Sequence, residues 1–269
     1  MEILDAYKED GTLAGFDINR EEIPEGYYCL TCDVIVKHKD GTYLAMQRDY
    51  AKPIYPGYFE ITAGGCALKG ENKLECVKRE LKEETGINCD CFVQVGFQIS
   101  KERRYICYDF LCEVDCDKDS IILQKGETIS YRWLDNNQVK KLMESEFVIP
   151  VQRERMKKYF EVLNIGKKYK VIVDRKIGDC HPDYKDLVYE VNYGYIPEII
   201  GGDGEFQDAY ILGVDNPIDE FEGILIGIVI RLNDLETKWI IASNNNYSDK
   251  EIKRLIYFQE KYFNTVIVR

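Results

Sequence analysis

Residues 65–87 read GCALKGENKLECVKRELKEETGI, and this segment decides the fold of the first part of the chain. It predicts one helix of about four turns, because Asn72 is a favourable N-cap residue and Glu75 stands where a capping box has its acid. Gly86 suits the left-handed position that follows the last turn of a helix. The elements on either side are therefore expected to be organised around this helix.

One face of the predicted helix is apolar, and another is crowded with carboxylates. The apolar residues expected to be buried along one stripe are Leu74, Val77 and Leu81. Glu80, Glu83 and Glu84 fall within roughly 100° of arc on a different face, where their charges repel one another. Folding alone does not require such a cluster, and carboxylate oxygens are the ligands that Mg²⁺ or Mn²⁺ prefers. The cluster therefore predicts a cation site.

Arg79 adjoins this carboxylate cluster. It lies four residues after Glu75 and four before Glu83, so its planar guanidinium can orient a carboxylate and offset part of the repulsion. The alternative is a solvated surface helix held by salt bridges, which is the usual explanation of an acidic helix taken alone. The complete spacing of the segment favours the catalytic interpretation.

That spacing resembles the Nudix box, and the first part of the chain is accordingly identified as a member of the Nudix hydrolases. Gly65 is followed after five residues by Glu71, and after seven more by the run Arg79-Glu80-Leu81-Lys82-Glu83-Glu84-Thr85-Gly86. The resemblance implies a small-molecule phosphoanhydride substrate in which water attacks a diphosphate. Bound cations would neutralise the diphosphate oxygens and lower the pKa of water.

The resemblance also implies roles for individual residues. The implied metal ligands are Glu80 and Glu84, with Glu83 as a further ligand or helper. The residues that support the box are Glu71, Arg79, Gly65 and Gly86. For the general base we select Glu127, because it stands six residues before Trp133, where many family members place an extra acid on a loop facing the box. A solvated loop glutamate is the alternative.

Composition places the chain among globular proteins with two domains. It has 269 residues, of which 45% are hydrophobic and 31% charged. The acidic start and the absence of a long apolar run predict a cytoplasmic protein with reduced thiols. A net charge of −12 argues against nucleic acid or an anionic membrane as a partner. Cys29 and Cys32 lie in a predicted strand, on opposite faces, so they do not predict a zinc site.

The pattern of elements predicts an α+β fold. Predicted strands cover residues 28–37, 42–47, 91–99, 104–114 and 129–133, and predicted helices cover residues 136–143 and 151–163. The basic, polar stretch Asn164–Lys168 is the expected boundary. We therefore expect a Nudix mixed-sheet sandwich over residues 1–165 and a second domain over residues 168–269.

The opening segment gives an alternative for the first domain. Asp5, Gly11, Gly15 and Arg20 resemble the lead-in shared by Nudix isopentenyl diphosphate isomerases and related hydrolases. Those isomerases need a cysteine and a metal-binding histidine just before the helix, and Gly64 and Cys66 stand at those places. The hydrolase is therefore favoured, with Cys66 as a packed loop thiol rather than a nucleophile.

From Lys168 onward three segments, in order, resemble the core of the β-barrel soluble inorganic pyrophosphatases. They are Asp174-Arg175, Asn192–Pro197 (NYGYIP) and Asp203–Asp208 (DGEFQD). The metal ligands that the resemblance implies are Asp203, Glu205 and Asp208, with Asp234 and Glu236 as additions. The implied phosphate-binding residues are Arg175, Tyr193, Lys238 and Tyr262.

This second resemblance is incomplete. Glu205 replaces an aspartate of the metal loop, and Phe263 stands where a phosphate-binding lysine would follow Tyr262. The acidic loop alone is equally typical of a plain Asp-Gly turn. We therefore expect a reduced pyrophosphatase-like β-barrel that either hydrolyses pyrophosphate or serves as a non-catalytic module that dimerises the protein or senses pyrophosphate.

Overall fold

The computed structural model describes residues 3–232, 234 and 236–269, so Met1 and Glu2 of the acidic start lie outside the described residues. The chain forms two compact units, Met1–Met156 and Lys157–Arg269. The division lies within the helix Pro150–Phe160. None of the described helices is long and apolar enough to cross a membrane.

The first unit is built around a mixed sheet with few helices. Its strands are β1 (Ile3–Tyr7), β2 (Leu13–Asn19), β3 (Cys29–His38), β4 (Tyr43–Arg48), β5 (Phe59–Glu60), β6 (Ala63–Cys66), β7 (Val93–Ser100), β8 (Tyr105–Val114) and β9 (Thr128–Leu134). The main sheet has the order β5-β4-β3-β8-β7, with β6 paired to β3 and β9 to β4. Strands β3 and β8 are parallel, whereas β1 and β2 form a separate antiparallel pair.

The helices of this unit begin and end close to the predicted positions. They are α1 (Lys73–Thr85), α2 (Asn136–Glu144) and α3 (Pro150–Phe160), with a 3₁₀ turn at Lys118–Ser120. A second 3₁₀ turn, Glu161–Asn164, follows α3 and lies in the second unit. In α1 the capping box between Asn72 and Glu75 is formed. Gly86 ends the helix in the left-handed conformation at φ +74°. The predicted start and end of the box helix are therefore confirmed.

The predicted apolar stripe of α1 is wrong at one position. Val77 and Leu81 are fully buried, but Leu74 is 51% exposed. Leu74 lies in the first turn, at the margin of the sector that packs on the sheet, and Cys76 is buried in that sector instead. The helix therefore buries Cys76, Val77 and Leu81 together with the side chain of Glu84.

Strand β3 separates two apolar clusters. Cys32, Val34 and Val36 alternate along the strand and join the cluster that contains Val77 and Leu81 of α1. Cys29 instead joins a smaller cluster with Leu4, Ala6, Ile18 and Cys66. The two cysteines therefore lie on opposite faces, as the period of a strand requires, and all ten cysteines are free thiols.

A buried ion-pair network lies on the opposite face of β3 from α1. Asp33 of β3 and Asp109 of β8 are paired in register, and Arg155 of α3 forms ion pairs with both carboxylates. Together with Cys107 these two acids form a possible metal-binding group. Among the residues that the structure describes, this is the group whose potential ligand atoms all lie within 4.8 Å of one another. The guanidinium of Arg155 already supplies the cation there, so this group is a structural contact.

The second unit contains a closed five-stranded barrel. Its strands are β10 (Lys168–Arg175), β11 (Asn192–Ile200), β12 (Phe206–Leu212), β13 (Glu220–Arg231), β14 (Thr237–Ala242) and β15 (Thr265–Val268). The strands form a closed barrel in the order β10-β11-β12-β14-β13, because β10 also pairs with β13. Strand β15 forms an additional antiparallel pair with β13. The predicted α+β fold, a Nudix-like mixed sheet followed by a β-barrel, is confirmed.

One helix of the second unit was not predicted. Helix α4 (Asp249–Glu260) begins with a capping box between Ser248 and Glu251. Its residues Ile252 and Ile256 pack with aromatic residues of the barrel, including Tyr193 and Tyr210. The barrel therefore has its own apolar core, covered by its own helix.

Candidate active site

Two glycines of β6 lie directly against the glutamates of α1. The backbone N–H of Gly64 donates to Glu84 Oε2 at 3.0 Å. A Cβ at Gly65 would lie 2.5 Å from Glu80 Oε1, which is closer than such atoms approach in proteins. Glycine at this position therefore allows the Glu80 carboxylate to lie on the strand backbone.

Arg79 links four groups of the segment. Its Nε donates to Glu71 Oε1 at 2.7 Å and its Nη2 to Glu71 Oε2 at 2.8 Å, so the pair is bidentate. Nη2 also donates to the carbonyl of Cys66 at 2.9 Å. Nη1 donates to Glu80 at 2.8 Å and to Glu83 at 3.0 Å. The hydrogen bonds from Arg79 lower the pKa of Glu71, which stays charged as the anchor of the guanidinium.

Glu84 is a buried carboxylate among other carboxylates. It is 8% exposed, and burial raises its pKa well above the usual range, with further contributions from Glu60 and Glu80. Burial likewise raises the pKa values of Glu80 and Glu60. Glu60, which forms an ion pair with Arg48, carried no sequence signal that singled it out. Buried acids of like charge fit a divalent cation, which would compensate their desolvation.

One cavity of about 170 Å³ brings the predicted residues together. It is lined by Arg20, Lys52, Gly64, Gly65, Cys66, Leu68, Arg79, Glu80, Glu83, Glu84, Gln124 and Glu127. Glu127 thus lies at the same cavity as the helix glutamates, where it forms an ion pair with Lys52. Lys52 was not predicted, because it lies in a loop whose position relative to the helix no local pattern reveals. Glu71 does not line the cavity, but it is hydrogen-bonded to Arg79, which does.

The sequence comparisons identify the family. The family model described as NUDIX domain matches residues 28–153. A relative from Listeria monocytogenes, the uncharacterized Nudix hydrolase lmo0368, is 30% identical over 152 residues, which are 56% of this chain and 89% of the relative. The chain belongs to the Nudix hydrolase family.

Other relatives and solved structures are also similar to part of this chain. The uncharacterized Nudix hydrolase lin0387 of Listeria innocua is 28% identical over 134 residues, covering 49% of this chain and 79% of the relative. A crystal structure of DR0079 from Deinococcus radiodurans covers 60% of this chain and 97% of its own, at 17% identity and a TM-score of 0.46. A MutT protein from Methanosarcina mazei covers 51% and 92%, at 23% identity and a TM-score of 0.40.

Membership in this family makes the chain a Nudix hydrolase, an enzyme that acts on phosphoanhydrides. Nudix enzymes generally use divalent metal ions. In this Nudix hydrolase the carboxylates of Glu80 and Glu83 are bridged by Nη1 of Arg79. Glu84 is held by the strand backbone. Arg79 and the strand backbone therefore hold these three carboxylates on one side of the cavity.

The second unit of the Nudix hydrolase has a cavity of about 520 Å³. It is lined by Asp174, Arg175, His181, Tyr189, Tyr193, Tyr195, Glu205, Phe206, Asp208, Arg231, Glu236, Lys238, Gln259 and Phe263. Six residues selected from the sequence are among them, namely Arg175, Tyr193, Glu205, Asp208, Glu236 and Lys238. The sequence analysis did not select Tyr189 or Arg231, which lie on other elements.

Three of the selected residues, Asp203, Asp234 and Tyr262, do not line this cavity. Asp203 is exposed on the turn, where its Oδ1 accepts a hydrogen bond from the backbone of Glu205 at 3.0 Å and Gly204 has φ +90°. Tyr262 is 65% exposed and lines a second cavity. It follows the end of α4, and the next residue, Phe263, lines the first cavity instead. The structure therefore does not place Asp203 or Tyr262 in the lining of the cavity that Asp208 lines.

Lys238 changes the electrostatics of the acidic part of this cavity. Its ammonium forms ion pairs with both Asp208 and Glu236, and the residue is only 3% exposed. A cation therefore already lies between these carboxylates. Mg²⁺ at that position would have to displace a buried ammonium, so the donor set fits a metal less well here than at the helix glutamates.

Proposed function

We propose that the first unit hydrolyses a phosphoanhydride of a nucleoside diphosphate derivative or a nucleoside triphosphate, with Mg²⁺ or Mn²⁺ as the cofactor. The observation that carries this proposal is the cavity shared by Glu80, Glu84 and Glu127, with Glu84 buried and bound to the backbone of β6. Three carboxylates in one small polar cavity suit a cation that binds phosphate oxygens.

Each residue of the cavity has a distinct role in this proposal. Glu80 and Glu84, helped by Glu83, hold the cation, which when bound neutralises the phosphate oxygens and lowers the pKa of water. Arg79 fixes the orientation of the carboxylates through its bond to Glu71. Glu127 accepts the proton of the attacking water. Lys52 and Arg20 supply positive charge beside the substrate phosphates.

A panel of phosphoanhydrides incubated with Mg²⁺ tests the proposal. The panel contains nucleoside triphosphates, adenosine diphosphate derivatives and sugar nucleotides, and phosphate and pyrophosphate release are scored separately. We expect hydrolysis of at least one class, with loss of hydrolysis on chelation of the metal and in Glu84→Gln. Turnover that survives both chelation and Glu84→Gln would assign the chemistry to another site.

The second unit is proposed as a pyrophosphatase-like domain over residues 168–269, following a Nudix domain over residues 1–165. If the first domain cleaves a triphosphate to a monophosphate, it releases pyrophosphate, and hydrolysis of that product would draw the reaction forward. Support comes from Arg175, Tyr193 and Lys238, which line one cavity with Glu205 and Asp208. Cations and a hydroxyl of this kind bind phosphate.

A non-catalytic second domain, which dimerises the protein or senses pyrophosphate, is the alternative. The ion pairs of Lys238 with Asp208 and Glu236 favour it, because they satisfy the carboxylates that a metal would need. Phosphate release from pyrophosphate by the full chain, compared with Asp208→Asn, separates the two. Turnover lost in Asp208→Asn supports the enzyme, and no turnover in the wild type supports the binding module.

An isopentenyl diphosphate isomerase is disfavoured. Cys66 is buried, and its carbonyl is a partner of Arg79, which suits a packed thiol. Cys66→Ala should therefore leave hydrolysis nearly intact, and the wild type should not interconvert isopentenyl and dimethylallyl diphosphates. Detectable isomerisation would reverse this ranking.

A further inference from the structure

Two cavities of the second unit adjoin each other. The cavity with Arg175 has a volume of about 520 Å³, and the cavity with Tyr262 has a volume of about 590 Å³. His181, Gln259 and Phe263 line both of them. A ligand can therefore extend from one cavity into the other across these three side chains.

The first cavity contains a guanidinium suited to an anion. Arg175 Nη1 donates to Asp174 at 2.9 Å, and the guanidinium lies over the rings of Tyr189 and Tyr193, 5.9 and 5.5 Å from their centroids. Its buried Nε has no hydrogen-bond partner among the residues that the structure describes. The Arg175 side chain is 28% exposed and lines the cavity, so the accessible part of its guanidinium can contact a ligand there. Phosphate oxygens are suitable acceptors for a guanidinium.

The second cavity is aromatic. It is lined by His181, Asp183, Tyr184, Lys185, Asp186, Leu187, Gln259, Tyr262 and Phe263. Tyr184 and Tyr262 are 67% and 65% exposed, so much of each ring is accessible, although Tyr184 contacts His181 and Lys261 lies over Tyr262. Phe263 lies under Arg231, whose guanidinium is 3.6 Å from the ring centroid, and this contact fixes the side chain shared by both cavities. Accessible aromatic rings bind planar bases by stacking.

We propose that the two cavities together bind a nucleoside phosphate, with the phosphate at Arg175 and the base against Tyr184 and Tyr262. The inference rests on the phosphate-binding part of the function proposed for the second unit and extends it to an organic ligand. Pyrophosphate has no group that stacks on a ring, and cavities of about 300–1,000 Å³ are typical of larger organic ligands. A nucleotide-cleaving first unit would supply such a molecule as its product.

Calorimetric titration of the full chain tests the inference. The Glu84→Gln background removes turnover by the first unit, and the probes are AMP, ribose 5-phosphate and pyrophosphate. We expect AMP to bind about tenfold more tightly than ribose 5-phosphate, since stacking on an aromatic side chain contributes about that factor. Tyr184→Ala and Tyr262→Ala should each reduce the preference for AMP. Arg175→Met should weaken the binding of both sugar phosphates.

Tyr257→Ala is the matched control. Tyr257 is 64% exposed on α4 but lies outside the lining of both cavities, so its removal should leave AMP binding unchanged. Equal affinities for AMP and ribose 5-phosphate, or equal AMP binding by the Tyr184 and Tyr262 variants and the wild type, would overturn the inference. Pyrophosphate hydrolysis is measured in a separate experiment. If pyrophosphate is hydrolysed but AMP and ribose 5-phosphate bind with equal affinity, the proposal of a nucleoside ligand is rejected and the function proposed for the second unit is retained.

Discussion

Arg79 and Glu71 are joined by two hydrogen bonds, from Nε to Oε1 at 2.7 Å and from Nη2 to Oε2 at 2.8 Å. Glu71 is fixed in turn by the backbone N–H of Leu68, which donates to its Oε2 at 2.8 Å. The guanidinium therefore has one orientation, and in that orientation its Nη1 reaches Glu80 and Glu83. A residue outside the helix thus controls where the carboxylates on the helix lie.

Arg79→Lys should reduce hydrolysis although it keeps the positive charge. An ammonium cannot make the bidentate bond to Glu71 and at the same time reach Cys66 and the helix glutamates. We expect a fall in kcat of about 10²-fold, the scale on which small displacements of catalytic groups act, and a loss of about 1–3 kcal/mol in the free energy of unfolding. Initial rates and urea unfolding measure the two effects.

Lys82→Arg is the control for Arg79→Lys, because Lys82 is exposed on the same helix. It should resemble the wild type in both measurements. Wild-type kcat in Arg79→Lys would show that a point charge is sufficient at this position.

Glu84→Gln should abolish most activity without destabilising the fold. The amide retains an oxygen that can accept the N–H of Gly64 but removes a buried charge from the neighbourhood of Glu60 and Glu80. We expect hydrolysis to fall by at least about 10²-fold, the scale of losing one preorganised electrostatic contact. Metal-free urea unfolding should give a free energy equal to that of the wild type or higher.

Glu83→Gln tests the more exposed member of the set. The side chain of Glu83 is 47% exposed, so stability should not change, whereas activity should fall if it helps to hold the cation. Glu102→Gln, at an exposed turn, controls for loss of charge alone. If either Glu83→Gln or Glu84→Gln keeps most of its activity at saturating Mg²⁺, the metal assignment of that residue is wrong.

Glu127→Gln should lower kcat and leave KM nearly unchanged. A general base contributes about 10²–10⁴-fold to the rate, and its loss does not remove a substrate contact. Lys52→Met removes the ion-pair partner of Glu127 but keeps the carboxylate, so it should retain more activity. Steady-state kinetics of the two variants measure the difference. The reverse order of activities would indicate that the cavity needs the cation of Lys52 and not the acid of Glu127.

The helix with its caps could be predicted from the sequence because its signals are local. Asn72, Glu75 and Gly86 specify where α1 begins and ends, and the spacing of the glutamates places them on one face. The partners of these glutamates are not local. Glu60 and Lys52 reach the site only through the pairing of β4 with β5 and the path of the following loops, which no short pattern encodes.

In the second unit the same distinction separates the selected residues that line one cavity from those that do not. Arg175, Tyr193 and Asp208 lie on neighbouring strands β10, β11 and β12, so sheet register brings them to one cavity. Tyr262 follows a helix that was not predicted, and the orientation of that helix decides which of Tyr262 and Phe263 lines the first cavity. Asp203 lies in a turn whose geometry its own side chain stabilises.

The second unit, expressed alone, should fold, and residues 157–269 should be more stable than residues 168–269. Glu161 precedes the barrel, and its Oε2 accepts hydrogen bonds from Thr237 Oγ1 at 2.6 Å and Trp239 Nε1 at 2.8 Å. Thr237 and Trp239 are almost fully buried in β14. A fragment without Glu161 therefore loses both hydrogen bonds and removes the acceptor of Trp239 Nε1, whereas Thr237 Oγ1 can still donate to Gln207 at 3.4 Å. We expect a difference of about 1–3 kcal/mol in the free energy of unfolding.

Urea unfolding of the two fragments, followed by tryptophan fluorescence, measures this difference. Glu161→Gln within residues 157–269 is the matched variant, because its single amide oxygen can accept both hydrogen bonds while the charge is removed, so its stability should stay close to that of the unsubstituted fragment and change less with pH. Because burial raises the pKa of Glu161, its charge makes folding less favourable above that pKa. The advantage of the longer fragment should therefore be greatest in mildly acidic solution and decrease as the pH rises. Equal stability of both fragments at every pH would show that the barrel does not depend on Glu161.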